Sequence, residues 1–453
     1  MYYKNKRFLV YGIEKSGLAD CKFITSMGGI VYATDDNEIK LKKSSEMLAK
    51  NKVIICDINW CFDNVNEFDV LVLSPGVGIG SNLCKLFKSR NKRIVGDLEL
   101  GVDYMRNPIV SVTGTNGKTT TVKMISEILT YSKIANFKVG NIGVPFCDSL
   151  QHKDDEVAVA EVSSFQMESV KYFEPYIAVV TNISQNHLDR HYQMKYYTYL
   201  KEKTLLNQNV DDYAVLNYDD ERVKGFAKDI KSQVVYFSMQ NKVNGAYLKD
   251  GKIFYKDEYV LKANDLCLKH PHNIMNAMAA ICVCKILGSS NKDIMKALSD
   301  YKGEPHRIEY VKSLGNIAFF DDSKSTNTAS TMACIKSFKE NMVLLLGGKS
   351  KGETYDELIE FIKCSNVRQV VLFGETRFDI LNCATAHDYP YVTVCQDFET
   401  AVNVAVVAAK DGEVVALSPA CSSKDEFNSF EERGNRFKEL ICNIDEKKFK
   451  TKK

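Results

Sequence analysis

The sequence predicts an α/β protein with three domains, and three observations support this prediction. Short β-branched runs alternate with longer stretches of helical periodicity, which is typical of parallel sheets with helical crossovers. The 453 residues, 45% of them hydrophobic, suffice for two to four domains with separate cores. A new strand begins after Pro108, following the first block of alternating segments. We therefore predict domains at residues 1–96, 97–303 and 304–453.

The predicted elements follow in three blocks. The first holds the strand segments KRFLVYG, GGIVYATD, KVIIC, FDVLVLSPGV and KRIVGDLEL. The second holds EVAVAEV, IAVVTNIS and YAVLNYD, and then a hairpin whose turn is Asp250-Gly251. A long apolar helix follows and ends at Gly288, a typical C-terminal cap. The third holds NMVLLLGG, QVVLFG, YVTVC and EVVALSPA, preceded by Phe319 and Phe320 at the end of a buried strand.

Composition excludes several classes of function. The 60 basic and 58 acidic residues balance, so no overall charge favours nucleic acid or a membrane surface. The N-terminal segment lacks an apolar leader region, and no apolar run approaches the roughly 20 residues of a membrane span. The 14 cysteines form no C-x-x-C pair, which favours reduced, buried thiols over disulfides or zinc. These features predict a soluble cytoplasmic protein that neither binds nucleic acid nor inserts into a membrane.

The segment PIVSVTGTNGKTTTVKMISEIL predicts a phosphate-binding loop. A β-run leads into a glycine-rich turn and then a helix, whose N-terminal N–H groups attract phosphate. The strict G-x-x-x-x-G-K-[ST] motif requires glycine at position 112, where Val112 stands. A chance strand–turn–helix junction is the alternative, but the context is correct on both sides. We predict an ATP site at Gly114, Thr115, Asn116, Gly117, Lys118, Thr119 and Thr120.

Other polar residues each leave two interpretations open. Glu161 ends an apolar strand and either caps the next helix or binds Mg²⁺. His187 and Asp189 follow another strand, as structural hydrogen-bonding groups or metal ligands. Asn273 and Asn276 share a helix face, where Asn273 could be a cap. Lys201 and Lys203 have the pattern of surface lysines on a helix.

The run FFDDSKSTNTASTM raises the same choice in the third block. Its Asp, Ser, Thr and Asn residues either cap the helix that follows or hold a charged ligand. Lys351 and Ser423 also follow strands, in the segments LLLGGKSKGETYDEL and LSPACSSKDEFNSFEERGNRF, and both could belong to ordinary turns.

Taken together, these motifs resemble the ATP-dependent Mur ligases and their relative folylpolyglutamate synthase. The resemblance rests on GTNGKT, EVSSFQ, NHLDRH, HNIMN and the long segment beginning LSPAC, and it covers essentially the whole chain. It implies a Rossmann-like N-terminal domain, a central P-loop ATPase-type parallel sheet and a Rossmann-like C-terminal domain. This chain departs from the family pattern at Glu14, Asn186, His270 and Ser422.

The resemblance also implies roles around ATP. Asn273, Asn276, Arg307 and Asp322 join the loop as ATP contacts. Two Mg²⁺ ions are implied, with ligands Thr119, Glu161, His187 and Lys201, the last as a carbamate formed with CO₂. Lys118, His187 and Lys201 are the implied catalytic residues.

The resemblance further implies the substrates. Ser16, Gly17, Gly76 and Asn141 match segments that contact a UDP-linked precursor. Thr326, Lys351, Ser423 and Phe430 match contacts to the incoming amino acid, and the D-S-K-x-T-N signature at 322–327 is that of the family member that adds D-glutamate. The implied reaction is ATP-dependent addition of D-glutamate to UDP-MurNAc-L-Ala (UDP-N-acetylmuramoyl-L-alanine) through an acyl phosphate, by a monomer.

Three alternatives remain. A P-loop switch or motor would hydrolyse ATP without an amino acid. A dehydrogenase with two dinucleotide folds would need a nicotinamide site, but VYGIEKSGLAD lacks the full G-x-G-x-x-G pattern. Another Mur-type or folylpolyglutamate-type ligase would use a different amino acid or acceptor.

Overall fold

The computed structural model describes residues 3–184, 188–268, 271–303, 305–350, 352 and 354–444. The chain divides into two compact units, Met1–Tyr301 and Lys302–Lys453. The first unit contains two sheets and the second contains one, each flanked by helices. The predicted α/β class is confirmed.

The first sheet is fully parallel, with strand order β3-β2-β1-β4-β5. Phe8, Leu9 and Val10 are completely buried, as expected for a strand covered on both faces. Its strands are β1 (Arg7–Tyr11), β2 (Ile30–Thr34), β3 (Ile54–Ile55), β4 (Val70–Leu73) and β5 (Arg93–Gly96). The helices are α1 (Lys15–Ser26), α2 (Glu38–Lys50), α3 (Ile58–Asp63), α4 (Asn82–Ser89) and α5 (Asp97–Val102).

The second sheet has nine strands in the order β14-β13-β12-β11-β10-β9-β6-β8-β7. They are β6 (Ile109–Thr113), β7 (Asn136–Gly140), β8 (Val157–Glu161), β9 (Ile177–Val180), β10 (Tyr213–Asn217), β11 (Gln233–Ser238), β12 (Gly245–Lys249), β13 (Lys252–Tyr255) and β14 (Glu258–Lys262). The predicted hairpin is confirmed, because Lys249 pairs with Lys252 across the turn. Asp250 and Gly251 both have positive φ, as this two-residue turn requires.

The second sheet is accompanied by helices, of which α11 is buried along most of its length. These helices are α6 (Lys118–Tyr131), α7 (Ser164–Met167), α8 (Leu188–His191), α9 (Met194–Glu202), α10 (Glu221–Gly225), α11 (Pro271–Ile286) and α12 (Asn291–Asp300). Helix α11 packs against α6 and contributes apolar side chains to the core of the sheet. Gly288, with φ of 89°, follows its end as predicted.

The third sheet lies in the second unit, in the order β15-β16-β20-β17-β18-β19. Its strands are β15 (Glu309–Leu314), β16 (Ile317–Asp321), β17 (Met342–Gly347), β18 (Val367–Phe373), β19 (Val392–Val394) and β20 (Val414–Leu417). The helices are α13 (Thr328–Ile335), α14 (Asp356–Lys363), α15 (Arg377–Ala386), α16 (Phe398–Ala408) and α17 (Phe430–Cys442). Among the described strand pairs of this sheet, only β15–β16 is antiparallel.

The structure differs from the sequence prediction at the end of one segment and at three strands that were not predicted, β7, β11 and β15. The segment KRIVGDLEL is a strand only to Gly96, and Asp97 begins α5. Asp97 and Glu99 lie in the first turn, where carboxylates stabilise a helix N-terminus. The edge strand β15 was not predicted, and its side chains are mostly half-buried or exposed. Such a strand depends on its neighbour rather than on an apolar run of its own.

All 14 cysteines are free thiols, and most are buried as predicted, although Cys267, Cys364 and Cys442 are exposed. In the described part of the chain, no helix combines the length and apolar character needed to cross a membrane.

Candidate functional site

The loop between β6 and α6 depends on two glycines. Gly114 and Gly117 both have positive φ. A Cβ atom on Gly114 would lie 1.9 Å from Oγ1 of Thr181, and one on Gly117 would lie 2.2 Å from Oδ1 of Asn276. No larger residue fits either position without displacing its neighbours. The loop therefore packs tightly against its neighbours and is followed directly by the N-terminus of α6, whose N–H groups favour an anion.

The end of β9 holds this loop in place. The N–H of Thr115 donates to the Asn182 carbonyl at 2.8 Å, and the N–H of Asn116 donates to Asn182 Oδ1 at 3.0 Å. Thr181 Oγ1 donates to the Asn116 carbonyl at 2.7 Å. These contacts help to fix the loop conformation, and a preformed loop lowers the ordering cost of binding a ligand.

Lys118 bends back over the loop that precedes it. Its Nζ donates to the carbonyls of Gly114 and Thr115, at 3.0 and 2.9 Å. Burial lowers the pKa of this amine. The amino group consequently lies at the mouth of the loop, where a phosphate-binding lysine is needed.

Thr119 and Glu161 form an oxygen pair suited to Mg²⁺. Thr119 Oγ1 donates to Glu161 Oε2 at 2.7 Å, and Asn141 Nδ2 donates to the other carboxylate oxygen at 2.7 Å. Glu161 is buried at the end of β8. Neighbouring oxygens around Mg²⁺ lie about 3.0 Å apart, given metal–oxygen bonds of about 2.1 Å. The Thr119 hydroxyl and the Glu161 carboxylate would therefore fit as Mg²⁺ ligands if their oxygens moved slightly apart.

Lys201 is buried near the end of α9, so the surface-lysine alternative is wrong for this residue. Its Nζ lies 4.7 Å from the centre of the Tyr197 ring. Burial and then the charge of Lys118 hold the pKa of Lys201 well below its usual range. The Tyr197 hydroxyl lies 3.0 Å from Thr115 Oγ1, so the lysine's environment adjoins the phosphate loop.

Asn273 and Asn276 are both buried in the first two turns of α11. Asn276 Nδ2 donates to Asn273 Oδ1 at 3.5 Å, a long bond, and Asn276 also approaches Gly117. The helix therefore places this amide beside the phosphate loop. His187 and Lys351 lie outside the described residues, as do Asn186 and His270.

A cavity of about 610 Å³ opens beside the carboxyl ends of β1 and β4. Its lining includes Ser16, Gly76 and Asn141, three of the predicted substrate contacts. Gly17 lies beneath it, where a Cβ atom would come 2.1 Å from the Gly12 carbonyl oxygen. Glu14 also lines the cavity and pairs with the amine of Lys40, which offsets its charge.

In the second unit, Asp322 is completely buried just after β16. Its carboxylate accepts bonds from the Ser418 hydroxyl at 2.7 Å and the Ile308 N–H at 3.2 Å. Burial raises the pKa of Asp322 to about 6, although the charge of Arg307 opposes this shift. In this structure Asp322 organises the edge of the third sheet, and its contact with ATP stays a prediction.

Arg433 on α17 connects two of the predicted segments. This fully buried guanidinium donates from Nε to Ser323 Oγ at 3.0 Å and from Nη2 to the Ser323 and Cys421 carbonyls at 3.0 and 3.2 Å. Ser323 Oγ donates in turn to the carbonyl of Phe430 at 2.8 Å. The FFDDSKSTNT strip is thus tied to the segment that contains Ser423.

The remaining predicted residues of this unit lie at the same sheet edge. Strands β16, β17 and β20 run parallel, so Thr326 and Ser423 both follow carboxyl ends that meet there. Ser423 is buried, whereas Thr326 and Phe430 are half-buried. Arg307 is exposed, and its Nη1 donates to Ser325 Oγ at 3.4 Å.

Comparison with known proteins decides the family. Residues 112–284 match the Mur ligase middle domain, and residues 306–421 match the Mur ligase, glutamate ligase domain. The chain is 38% identical to UDP-N-acetylmuramoylalanine–D-glutamate ligase of Clostridioides difficile (strain 630), over 97% of this chain and 99% of that protein. The chain belongs to the Mur ligase family.

Further relatives agree. The enzyme of the same name from Caldanaerobacter subterraneus subsp. tengcongensis is 36% identical over 98% of this Mur ligase and 100% of that protein. Among solved structures, UDP-N-acetylmuramate–alanine ligase from Thermotoga maritima aligns with a TM-score of 0.56 at 19% identity, covering 96% of this chain and 99% of that one. A pseudomurein peptide ligase type C from Methanothermus fervidus also gives 0.56, at 18% identity over 97% and 100%. These structures support the fold.

Sequence reasoning missed two residues of this Mur ligase, although both stand in the NHLDRH motif. Arg190 donates to Glu168 through Nε and Nη2, at 3.1 and 2.7 Å. The same guanidinium donates to the carbonyls of Pro75 and Val77, at 2.9 and 3.0 Å. It therefore joins the loop after β4 to the second sheet, beside the cavity. The basic residue after Leu188 and Asp189 was the available signal.

The second missed residue is His191. It is buried, with one ring nitrogen 3.0 Å from Ser164 Oγ and the other 3.3 Å from Glu168 Oε1. It helps to hold Glu168 in place for Arg190.

Proposed function

We propose that this Mur ligase joins D-glutamate to UDP-N-acetylmuramoyl-L-alanine in peptidoglycan precursor synthesis, with cleavage of ATP to ADP and phosphate. The carrying observation is the Thr119–Glu161 oxygen pair beside the Gly114–Lys118 loop, which suits a metal-bound nucleotide triphosphate. The choice of substrates is supported by the names of relatives that are 34–38% identical over nearly the full chain.

The nucleotide is held mainly by backbone groups. The N–H groups at the start of α6 and the amine of Lys118 bind the phosphates, while Asn273 and Asn276 contact the nucleotide from α11. Arg307 and Asp322 provide further contacts to ATP from the second unit. Thr119, Glu161, His187 and carbamylated Lys201 would hold two Mg²⁺ ions. When bound, Mg²⁺ neutralises charge that develops on the transferred phosphoryl group.

Lys201 supplies an anionic ligand only after modification. Its lowered pKa increases the share of neutral amine, the form that can attack CO₂. The N–C bond forms, a proton is released, and the product is a carbamate. The buried amine next to Lys118 thereby becomes an anion, which the charge of Lys118 favours.

The reaction has two steps. The alanine carboxylate of the precursor attacks the γ-phosphate and gives an acyl phosphate with release of ADP. The amine of D-glutamate then attacks the acyl carbon, the C–N bond forms, and phosphate leaves. Ser16, Gly17, Gly76 and Asn141 bind the precursor. The D-glutamate contacts are Thr326, Lys351, Ser423 and Phe430.

We also propose three domains at residues 1–96, 97–303 and 304–453, in a monomeric cytoplasmic enzyme. The separate five-stranded sheet up to Gly96 supports the first boundary, and the division of the chain at Tyr301 supports the second. Sedimentation of the purified protein gives its molecular mass in solution and so tests whether it is a monomer.

The test is phosphate release by the purified enzyme with ATP, Mg²⁺ and UDP-N-acetylmuramoyl-L-alanine. D-glutamate is compared with L-glutamate, meso-diaminopimelate and no amino acid, and a folate replaces the precursor in a parallel series. We expect release to depend on D-glutamate and on the precursor together, with a covalent product of matching mass. Release that is equal without an amino acid would instead indicate a P-loop hydrolase, and preference for another acceptor would indicate a sister ligase.

A further inference from the structure

Three metal-binding side chains meet on the surface of the second unit, and none of them is among the proposed ligase residues. Asp356 is the first residue of α14, Cys383 lies on α15, and His387 follows the end of α15. Asp356 Oδ1 lies 3.7 Å from Cys383 Sγ and 3.0 Å from His387 Nε2. All three ligand atoms lie within 4.8 Å of one another. We call this group the α14–α15 cluster.

The fold accounts for this grouping. Helices α14 and α15 follow the neighbouring parallel strands β17 and β18 and pack against each other. Cys383 and His387 are four residues apart, and the His387 N–H donates to the Cys383 carbonyl at 3.1 Å, which continues the helical turn. Both side chains consequently lie on one face, as this spacing requires. That face is the one that meets the start of α14.

The donor set and its spacing suit zinc. Thiolate, imidazole and carboxylate are the ligands that Zn²⁺ takes in proteins, usually in a tetrahedron. With ordinary zinc–ligand bond lengths, a tetrahedron places sulfur and oxygen about 3.6 Å apart and nitrogen and oxygen about 3.4 Å apart. The corresponding distances here are 3.7 and 3.0 Å. A small rotation of the Asp356 side chain would bring both into range.

Glu360 provides a further feature of a metal site. It lies one turn after Asp356 on α14, and its Oε1 is 3.6 Å from His387 Nδ1. Histidine ligands commonly donate their second ring N–H to a carboxylate, which fixes the tautomer and the orientation of the ring. A proton on Nδ1 leaves Nε2, the nitrogen facing Asp356 and Cys383, free to bind a metal.

We propose that Asp356, Cys383 and His387 bind Zn²⁺, with Glu360 orienting the imidazole and water as the fourth ligand. The Asp356 side chain is 63% exposed, so solvent reaches the site. One carboxylate and one thiolate balance the charge of the ion. The role is structural, because the ion would link α14 to α15.

Binding must displace a proton from the thiol. Burial and the neighbouring Asp356 raise the pKa of Cys383 to about 11, and the thiol donates a hydrogen bond to Asp356 Oδ1. Zinc replaces that proton, and the resulting thiolate is the ligand. The amine of Lys363 donates to the His387 carbonyl, and so holds the end of α15 near α14.

Cobalt(II) is the probe, added to full-length protein after removal of metals with a chelator. A thiolate ligand gives an intense near-ultraviolet charge-transfer band, which oxygen and nitrogen ligands at the proposed magnesium site cannot produce. We expect saturation at about one equivalent and loss of the band when Zn²⁺ is added. Cys383→Ser should abolish the band, and His387→Gln and Glu360→Gln should weaken cobalt binding by about tenfold or more.

Two matched variants serve as controls. Cys442→Ser removes an exposed thiol of the same unit, and His152→Gln removes a histidine that pairs with Glu156 four residues along. Both should keep the band unchanged. No charge-transfer band in the wild type, or a band that survives Cys383→Ser, would overturn the proposal. Ligase activity in Mg²⁺ should be equal in the wild type and Cys383→Ser, so this outcome is separate from that of the proposed function.

Discussion

Lys201 lies in the last turn of α9 and Lys203 directly follows the helix, and their surroundings differ. Nζ of Lys203 donates to the Met167 carbonyl at 2.8 Å, whereas Lys201 faces the Tyr197 ring beside the phosphate loop. The pKa of Lys201 is lowered further, because it is more deeply buried and lies near Lys118. At the scale of single residues, burial thus separates two lysines that the sequence pattern could not.

The carbamate can be detected directly. Enzyme equilibrated with ¹³C-bicarbonate should show a carbamate resonance by NMR, which Lys201→Met removes and Lys203→Met retains. Activity should fall when CO₂ is depleted and recover when bicarbonate is restored. A resonance that persists in Lys201→Met would place the modification on another amine.

Gly117→Ala should impair ATP binding, because the new Cβ would lie 2.2 Å from Asn276 Oδ1. Gly251→Ala is the control: its φ of 70° resembles the 83° of Gly117, but no atom lies within 4 Å of the new Cβ. The backbone conformation alone costs about 1–2 kcal/mol in each variant. Equal losses of ATP affinity, measured by calorimetry, would contradict the role of the close contact.

Asp20→Asn tests a buried carboxyl on α1. Among the described residues its one side-chain hydrogen bond is with the Cys147 thiol, and burial followed by the charge of Asp97 raises its pKa well above the usual value. Below pH 3.8 the folded and unfolded states are both protonated. As pH rises, only the unfolded state ionises, so this group destabilises the fold increasingly until its folded pKa is reached.

The expected result is a stability difference between Asp20→Asn and wild type that moves in favour of the variant from pH 4 to pH 8. Its size should be about 1.4 kcal/mol for each unit by which the folded state raises the pKa of Asp20. Urea unfolding at several pH values measures it. Asp63→Asn, at an exposed position, should show no such trend, and a flat profile for Asp20→Asn would refute the argument.

At the scale of elements, α17 supports the edge of the third sheet through Arg433. The long segment beginning LSPAC was recognisable in the sequence. The hydrogen bond from its Arg433 to Ser323 was not, because these two residues are 110 positions apart. By contrast, the β12–β13 hairpin was predictable, because its turn residues are adjacent in the chain. Elements defined by neighbouring residues could be predicted, and contacts between distant elements could not.

Arg433→Lys should destabilise the second unit by roughly 3 kcal/mol, because lysine cannot reproduce the planar fork that reaches Ser323 and Cys421. Its KM for D-glutamate should also rise. Arg436→Lys on the same helix alters an exposed pair with Glu399 and should cost less than about 1 kcal/mol. Urea unfolding and steady-state kinetics distinguish them, and similar effects of both variants would exclude a special role for Arg433.

At the scale of the whole molecule, the division at Tyr301 predicts independent folding of the second unit. The buried residues of its two apolar cores lie between Leu314 and Ile441, and the partly buried side chains that pack against them lie between Ile308 and Ile444, all within the second unit. Fragment 302–453 should unfold cooperatively and give a dispersed NMR spectrum, without ligase activity. Fragment 323–453 lacks β15 and β16, which removes the buried Phe319 and exposes the edge of β20. It should not fold, and folding of this shorter piece would contradict the assigned core.

The sequence by itself determined the α/β class, the phosphate loop, the hairpin and the family, because these depend on residues close together in the chain. Only the tertiary structure decided that Glu161 meets Thr119 and Asn141, that Arg190 holds the loop after β4, and that Lys201 is buried. Each of these contacts depends on strand order, which brings distant carboxyl ends to one edge of a sheet. Local propensity does not specify that order, since it is set by how whole elements bury their apolar faces together.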